Sequence, residues 1–132
     1  MDTRTDFEAF ELWLGVKLAP ELVAFIAQHG GGYVNDSSVL YAPSQLTDRN
    51  ECYETKQYCP GWITIGVDGG PRQFVVAPTL RPAGVFAVDG GDMTEACFEL
   101  VAPSLSEWKA LGFPDEPGPN NSSKPKPLRG SA

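Results

Sequence analysis

Between Trp62 and Val88 the hydrophobic pattern breaks into three short runs, Trp62-Ile63-Thr64-Ile65, Gln73-Phe74-Val75-Val76 and Gly84-Val85-Phe86-Ala87-Val88. They are too short for helices and rich in β-branched and aromatic residues, so each reads as a strand. Val67-Asp68-Gly69-Gly70 separates the first two, and Asp-Gly and Gly-Gly steps tolerate the positive φ angles of a tight hairpin. Val88-Asp89-Gly90-Gly91 repeats that turn signal 21 residues later. A further short strand is expected at Val39-Leu40-Tyr41.

Outside this block the period is helical. Thr5 and Glu8 stand at capping-box distance, with Phe7, Phe10 and Leu14 at helical spacing, which predicts a first helix over 5–14 ending at Gly15. Leu18-Ala19-Pro20-Glu21 restarts a helix with proline at its first position, its stripe is Leu22, Phe25 and Ile26, and Gly30-Gly31-Gly32 stops it. Ser104-Leu105-Ser106-Glu107 is a second capping box, leading to Leu105, Trp108 and Leu111 on one face. Strands in one block with helices at the ends imply an α+β fold: a central, mostly antiparallel sheet with the N-terminal helices and a C-terminal helix packed on one side. Residues 42–60 read as a long polar loop with at most a helical turn, and long ordered loops tend to carry function.

Every tryptophan, tyrosine and phenylalanine falls within residues 1–113, while 114–132 holds five prolines and a single large apolar residue, Leu128. The 132-residue chain is therefore expected to form one domain, 1–113, with a flexible tail over 114–132. The domain carries fifteen acidic against seven basic side chains, a surplus of eight negative charges. That argues against direct nucleic-acid binding, which draws its affinity from lysine and arginine. The charged start, Met1-Asp2-Thr3-Arg4-Thr5-Asp6, lacks the apolar core of a signal peptide, and no apolar run approaches membrane-spanning length. A cytoplasmic protein without membrane association is expected.

Catalytic and metal chemistry find little support. His29 is the only histidine and sits at a helix end, where capping or surface duty explains it. No G-x-S-x-G elbow or catalytic cysteine signature accompanies it. Asp68 and Asp89 could pair as glycosidase carboxylates, but both precede Gly-Gly in turns, which favour aspartate for backbone reasons. The residues after Asp89 miss EF-hand spacing, and neither glycine cluster has a P-loop lysine. Cys52, Cys59 and Cys97 match no zinc spacing and read as reduced thiols. No catalytic residue, metal ligand or cofactor is assigned.

Several segments, taken in order, resemble the SUKH superfamily, which includes fungal cell-wall-assembly and killer-toxin-resistance regulators. Leu18-Ala19-Pro20-Glu21-Leu22, Phe25 and His29-Gly30-Gly31-Gly32 resemble its opening signature, with His29 where asparagine is common. Trp62 to Gly70 is similar to its "IG.DGGG" segment, Gly84 to Asp89 to the following strand, and Val101 to Trp108 to its closing helix. The resemblance covers roughly residues 7–113 and implies a mixed α/β fold around an antiparallel sheet. It further implies a non-enzymatic immunity protein, whose partner is a cognate polymorphic or contact-dependent toxin domain, basic and often a nuclease. The alternative it leaves open is a regulatory scaffold for an endogenous protein; a small hydrolase is the third reading. The acidic surplus suits a basic partner. Asp48, Glu51, Tyr53, Glu54, Asp68, Asp89 and Asp92 are the expected partner-binding face, with Tyr33 and Tyr58 as further aromatic material around the loop.

Overall fold

The computed structural model describes residues 3–115; most of the expected tail lies outside the described residues. Helix α1 (Thr3–Leu14) buries Phe7 and Phe10, and α2 (Pro20–His29) buries Leu22, Phe25 and Ile26. Thr5 lies within α1 rather than capping it, because the helix begins two residues earlier than its capping-box signal suggested. Pro20 opens α2, where a missing N–H leaves no hydrogen bond unmade. Gly30, the residue after α2, is extended and donates to Ile26 O; the left-handed position falls to Gly31.

The strands form a six-stranded antiparallel meander in chain order: β1 (Gly32–Tyr33), β2 (Val39–Leu40), β3 (Ile63–Val67), β4 (Arg72–Val76), β5 (Val85–Asp89) and β6 (Glu99–Ala102). The edge strands β1 and β6 carry no apolar run that sets them apart in the sequence. The α+β architecture agrees with the hydrophobic pattern. Helix α5 (Leu105–Ala110) follows β6, with Ser104 Oγ accepting from Glu107 N–H at 3.1 Å. Leu111 lies beyond α5 and is exposed, so the expected three-residue stripe reduces to Leu105 and Trp108.

Both faces of the sheet are covered, not one. Ile63, Ile65, Phe74, Val76, Val85 and Ala87 join Phe10, Ile26 and Trp108 in the main core. Val75 and Val88 point the other way and pack with Trp62, Cys59 and Met93, roofed by half-buried Tyr53, Phe86 and Phe98. This explains the near-continuous apolar reading of the central strands, since a strand buried on both sides has no polar face.

The helical part of the roof, which supplies Tyr53, comes from residues 42–60, which are more helical than expected: a 3-10 turn (Pro43–Gln45), α3 (Leu46–Cys52) and α4 (Thr55–Tyr58). A shift of register between Thr64 and Gly66 lets Tyr41 N–H reach Ile65 O at 2.9 Å. At Gly66 a β-carbon would stand 2.5 Å from Val39 O, so β2 can pair with β3 only against glycine. Gly66→Ala should lower unfolding free energy by about 2–3 kcal/mol, the usual cost of overpacking a close-packed position; urea denaturation measures it.

The C-terminal turn is locked to the N-terminal half. Trp108 is fully buried, and its Nε1 donates to Pro114 O at 2.9 Å, so Pro114 supplies an acceptor to the core although composition placed it in the tail. Asn35 Nδ2 donates to the carbonyls of Gly112 and Phe113, each at 3.0 Å. His29 is half-buried, its ring 4.8 Å from that of Phe25 and 5.7 Å from that of Phe113. Burial, and then the nearby Lys109 ammonium, hold the His29 pKa below its ordinary 6.5. The fold thus favours neutral His29, and stability present above pH 6.5 should fall as acidification charges the imidazole in the unfolded chain first. Melting temperatures from pH 7.5 to 5, on the order of one to two units about the histidine pKa, should drop further in the wild type than in His29→Phe.

Candidate interaction surface

The two Asp-Gly-Gly turns lie side by side at one end of the sheet. Arg72 pairs with Asp89 across β4 and β5, and Gly90 N–H donates to Pro71 O at 2.7 Å. Both aspartates hold their turns: Asp68 Oδ1 accepts from Gly70 N–H at 2.7 Å and from Arg72 N–H at 3.2 Å, and Asp89 Oδ1 from Gly91 N–H at 2.7 Å. Asp89 remains exposed, whereas only 9% of Asp68 does, so the two contribute unequally to the surface.

Against the second turn stands the junction of α3 and α4. Tyr53 packs on Gly90 so closely that a β-carbon there would lie 2.9 Å from Tyr53 Cε1. Glu54 follows with a left-handed φ of 54°, rare for a residue with a side chain, and this bend separates the two short helices. Tyr53, Glu54 and Tyr58 on one wall and Gly90, Asp92 and Thr94 on the other form a groove. A neighbouring depression holds Asp89 and Asp92 beside Arg72, which donates to Glu99. The structure therefore brings Tyr53, Glu54, Asp89 and Asp92 together. Asp48 and Glu51 are exposed on the helix leading into Tyr53 but line neither hollow, and Tyr33 is exposed on the edge strand β1.

Asp92 accepts from the Thr94 hydroxyl at 3.1 Å and from the Cys97 thiol at 3.3 Å; these bonds, the thiol's first, hold its carboxyl below the usual range. It stays charged in moderately acid solution. Two cations of the roof are engaged elsewhere: Arg49 lies 5.8 Å from the Tyr41 ring centroid, and Lys56 sits 4.2 Å from that of Trp13 while donating to its carbonyl.

What fixes the roof is a buried polar network absent from the expected site. Asn50 is fully buried on α3; its Nδ2 donates to Leu46 O and Thr64 O, and its Oδ1 accepts from Thr64 N–H and the Thr55 hydroxyl, both at 2.9 Å. Gln73 Oε1 accepts from the Tyr41 hydroxyl at 2.6 Å and the Thr64 hydroxyl at 2.8 Å. Burial pushes the Tyr41 phenol up to about 12, so it remains a donor. Asn50 and Thr55 bracket Tyr53 and Glu54, so the network sets where both side chains stand. No sequence signal marks Asn50, because a polar residue in a polar stretch looks solvated until its neighbours are known.

Burial raises the Cys59 thiol to about 11, keeping it protonated, and His29 is packed between aromatic rings. Among the described residues no group of three or more His, Cys, Asp or Glu side chains is placed to hold a metal ion. Nor is any helix among them long and apolar enough to cross a membrane.

Comparison with known families places a match to the SMI1 / KNR4 family (SUKH-1) over residues 3–110. No curated protein matches the chain. The family match spans α1 through α5, so it takes in the whole meander and both turns at its acidic end: this chain belongs to the SMI1 / KNR4 family (SUKH-1).

Proposed function

We propose that this domain is a non-enzymatic immunity protein that acts in the cytoplasm, binding a cognate polymorphic or contact-dependent toxin domain and covering its active or an adjacent site. The observation that carries this reading is the groove between the α3–α4 junction and the Asp89–Asp92 turn. It offers tyrosine rings and carboxylates together on a domain with eight surplus negative charges. A nuclease toxin must present a basic surface to its phosphate substrate, and an anionic domain attracts such a surface over long range. Aromatic side chains give the short-range part, since tyrosines beside a partner's arginine or lysine contribute both area and cation–π attraction.

Family membership supports a protein-binding role. Asp48, Glu51 and Asp68 join the proposed face as flanking charges, with Tyr53, Glu54, Asp89 and Asp92 at its centre. The test is co-purification with the product of the adjacent gene, followed by rescue of cells expressing that product. Binding with rescue is expected. Co-purification of an endogenous, non-toxic protein, with a growth defect on deletion in the absence of any challenge, would replace the immunity reading with that of a regulatory scaffold.

A further inference from the structure

The chain leaves the described fold at the same end of the sheet as the groove between the α3–α4 junction and the Asp89–Asp92 turn. In an antiparallel meander the β1–β2, β3–β4 and β5–β6 connections share one end, and contacts tie them side by side. Asn35, in the first connection, holds the carbonyls of Gly112 and Phe113, so Pro114 departs beside it. Gly69 of the second lies against Ser37 of the first, and Pro71 O accepts from Gly90 N–H of the third, on which Tyr53 packs. From β2 to β5 is three strand spacings, roughly 15 Å.

The sequence that follows is opposite in charge to the groove. Nine residues past Asp115 begins Lys124-Pro125-Lys126-Pro127-Leu128-Arg129, three cations without an acid. Glu54 and Asp92 stand exposed on opposite walls of the groove, and among the described residues no basic side chain lines it. Its volume is about 440 Å³, room for a short stretch of extended chain.

We infer that Lys124 to Arg129 docks in this groove of its own molecule, prolines against Tyr53 and Tyr58 and cations against Glu54 and Asp92. Proline-rich segments suit aromatic-lined grooves because the fixed φ of proline leaves little backbone entropy to lose on docking. The connecting length fits. Nine residues of such Pro, Gly, Asn and Ser composition span a root-mean-square distance of about 15–18 Å, close to the distance across the sheet. A tether matched to its span gives an effective concentration on the order of millimolar, so contacts too weak to hold a free peptide suffice, and a second copy competes only near that concentration. The docking rests on the groove and the sequence alone. Its consequence, that a basic toxin domain must first displace the segment, rests on the immunity reading.

Amide and ring-proton NMR of the full chain is the test. The Tyr58 ring should show contacts to Pro125 and Pro127 in the wild type. Lys124→Glu/Lys126→Glu/Arg129→Glu should abolish them and shift the amide signals of Tyr53, Glu54, Gly90 and Asp92, equally at low and high protein concentration. Signals from α1 and α2 should stay in place, which also reports an intact fold. Glu54→Lys/Asp92→Lys should abolish the ring contacts as well, and combining both sets of reversals should restore them, since carboxylates then meet ammonium groups. Three results would overturn the inference: groove signals indifferent to the Lys124, Lys126 and Arg129 reversals, shifts that grow with protein concentration because a second copy supplies the segment, or a combined variant without the ring contacts. No toxin enters these measurements, so their failure leaves the immunity reading standing, and failure of that reading leaves them unchanged.

Discussion

Glu54→Lys/Asp92→Lys slows association with a basic toxin domain by about 10- to 100-fold at low salt, a substantial part of the range that electrostatic steering spans. The exchange replaces two of the groove's carboxylates with ammonium groups and shifts the protein's charge from −7 to about −3, in a direction any cationic partner senses over long range. Dissociation also quickens, because the partner's cations then face lysines beside Tyr53 and Tyr58. The fold is spared: both residues are exposed, and the Asp92 carboxylate accepts from Thr94 and Cys97 at the surface. Stopped-flow association with the co-purifying toxin domain, alongside thermal melts of the variant, separates lost steering from lost structure. The same double reversal at Glu8 and Glu107, which lie outside both hollows, changes net charge equally but should slow association less.

Asn50→Ala is expected to cost about 3–4 kcal/mol of unfolding free energy. Alanine removes four hydrogen bonds at once, leaves Thr64 N–H without its buried acceptor, and leaves the Thr55 hydroxyl only its longer bond to the residue-50 carbonyl. Each buried donor or acceptor left alone costs about 1–3 kcal/mol, reduced where the chain relaxes or water enters. The effect also reaches the proposed surface. With α3 released from β3, Tyr53 loses its fixed seat on Gly90, so partner binding should weaken even where the variant remains folded. Urea denaturation gives the stability loss, and the affinity of the folded variant gives the second effect. Asn50→Asp keeps the acceptor for Thr64 N–H but sets a carboxylate oxygen against the carbonyls of Leu46 and Thr64 in a fully buried site, so its loss should be at least as large as that of Asn50→Ala.

The strands between Trp62 and Val88 were legible because their burial on both faces leaves a run of apolar residues that no helix of that length would need. The Asp-Gly-Gly turns were legible for the same reason that makes them stable, an aspartate accepting from the N–H two residues on. Residues 42–60 were not. Their inward side chains are Leu46, Asn50 and Thr55, so the hydrophobic period that marks a helix is replaced by hydrogen bonds to β3. Edge strands β1 and β6 escaped because they are short and half-exposed. Of the proposed face, Asp89 and Asp92 could be read as neighbours of one turn, but their meeting with Tyr53 and Glu54 depends on tertiary packing across more than thirty positions of chain. Asp68 looked equivalent to Asp89 in sequence and differs in a further bond from Arg72 N–H and in how deeply its turn is seated, where a β-carbon on Gly69 would lie 2.6 Å from Ser37 O.

The account rests on an anionic, tyrosine-edged groove steering a basic toxin domain, and the salt dependence of the association rate tests it most directly. Between about 50 and 500 mM salt the screening length shrinks to a few Å, and the rate should fall by about tenfold or more, with a much shallower slope in Glu54→Lys/Asp92→Lys. A rate that is the same at both salt concentrations would contradict the account.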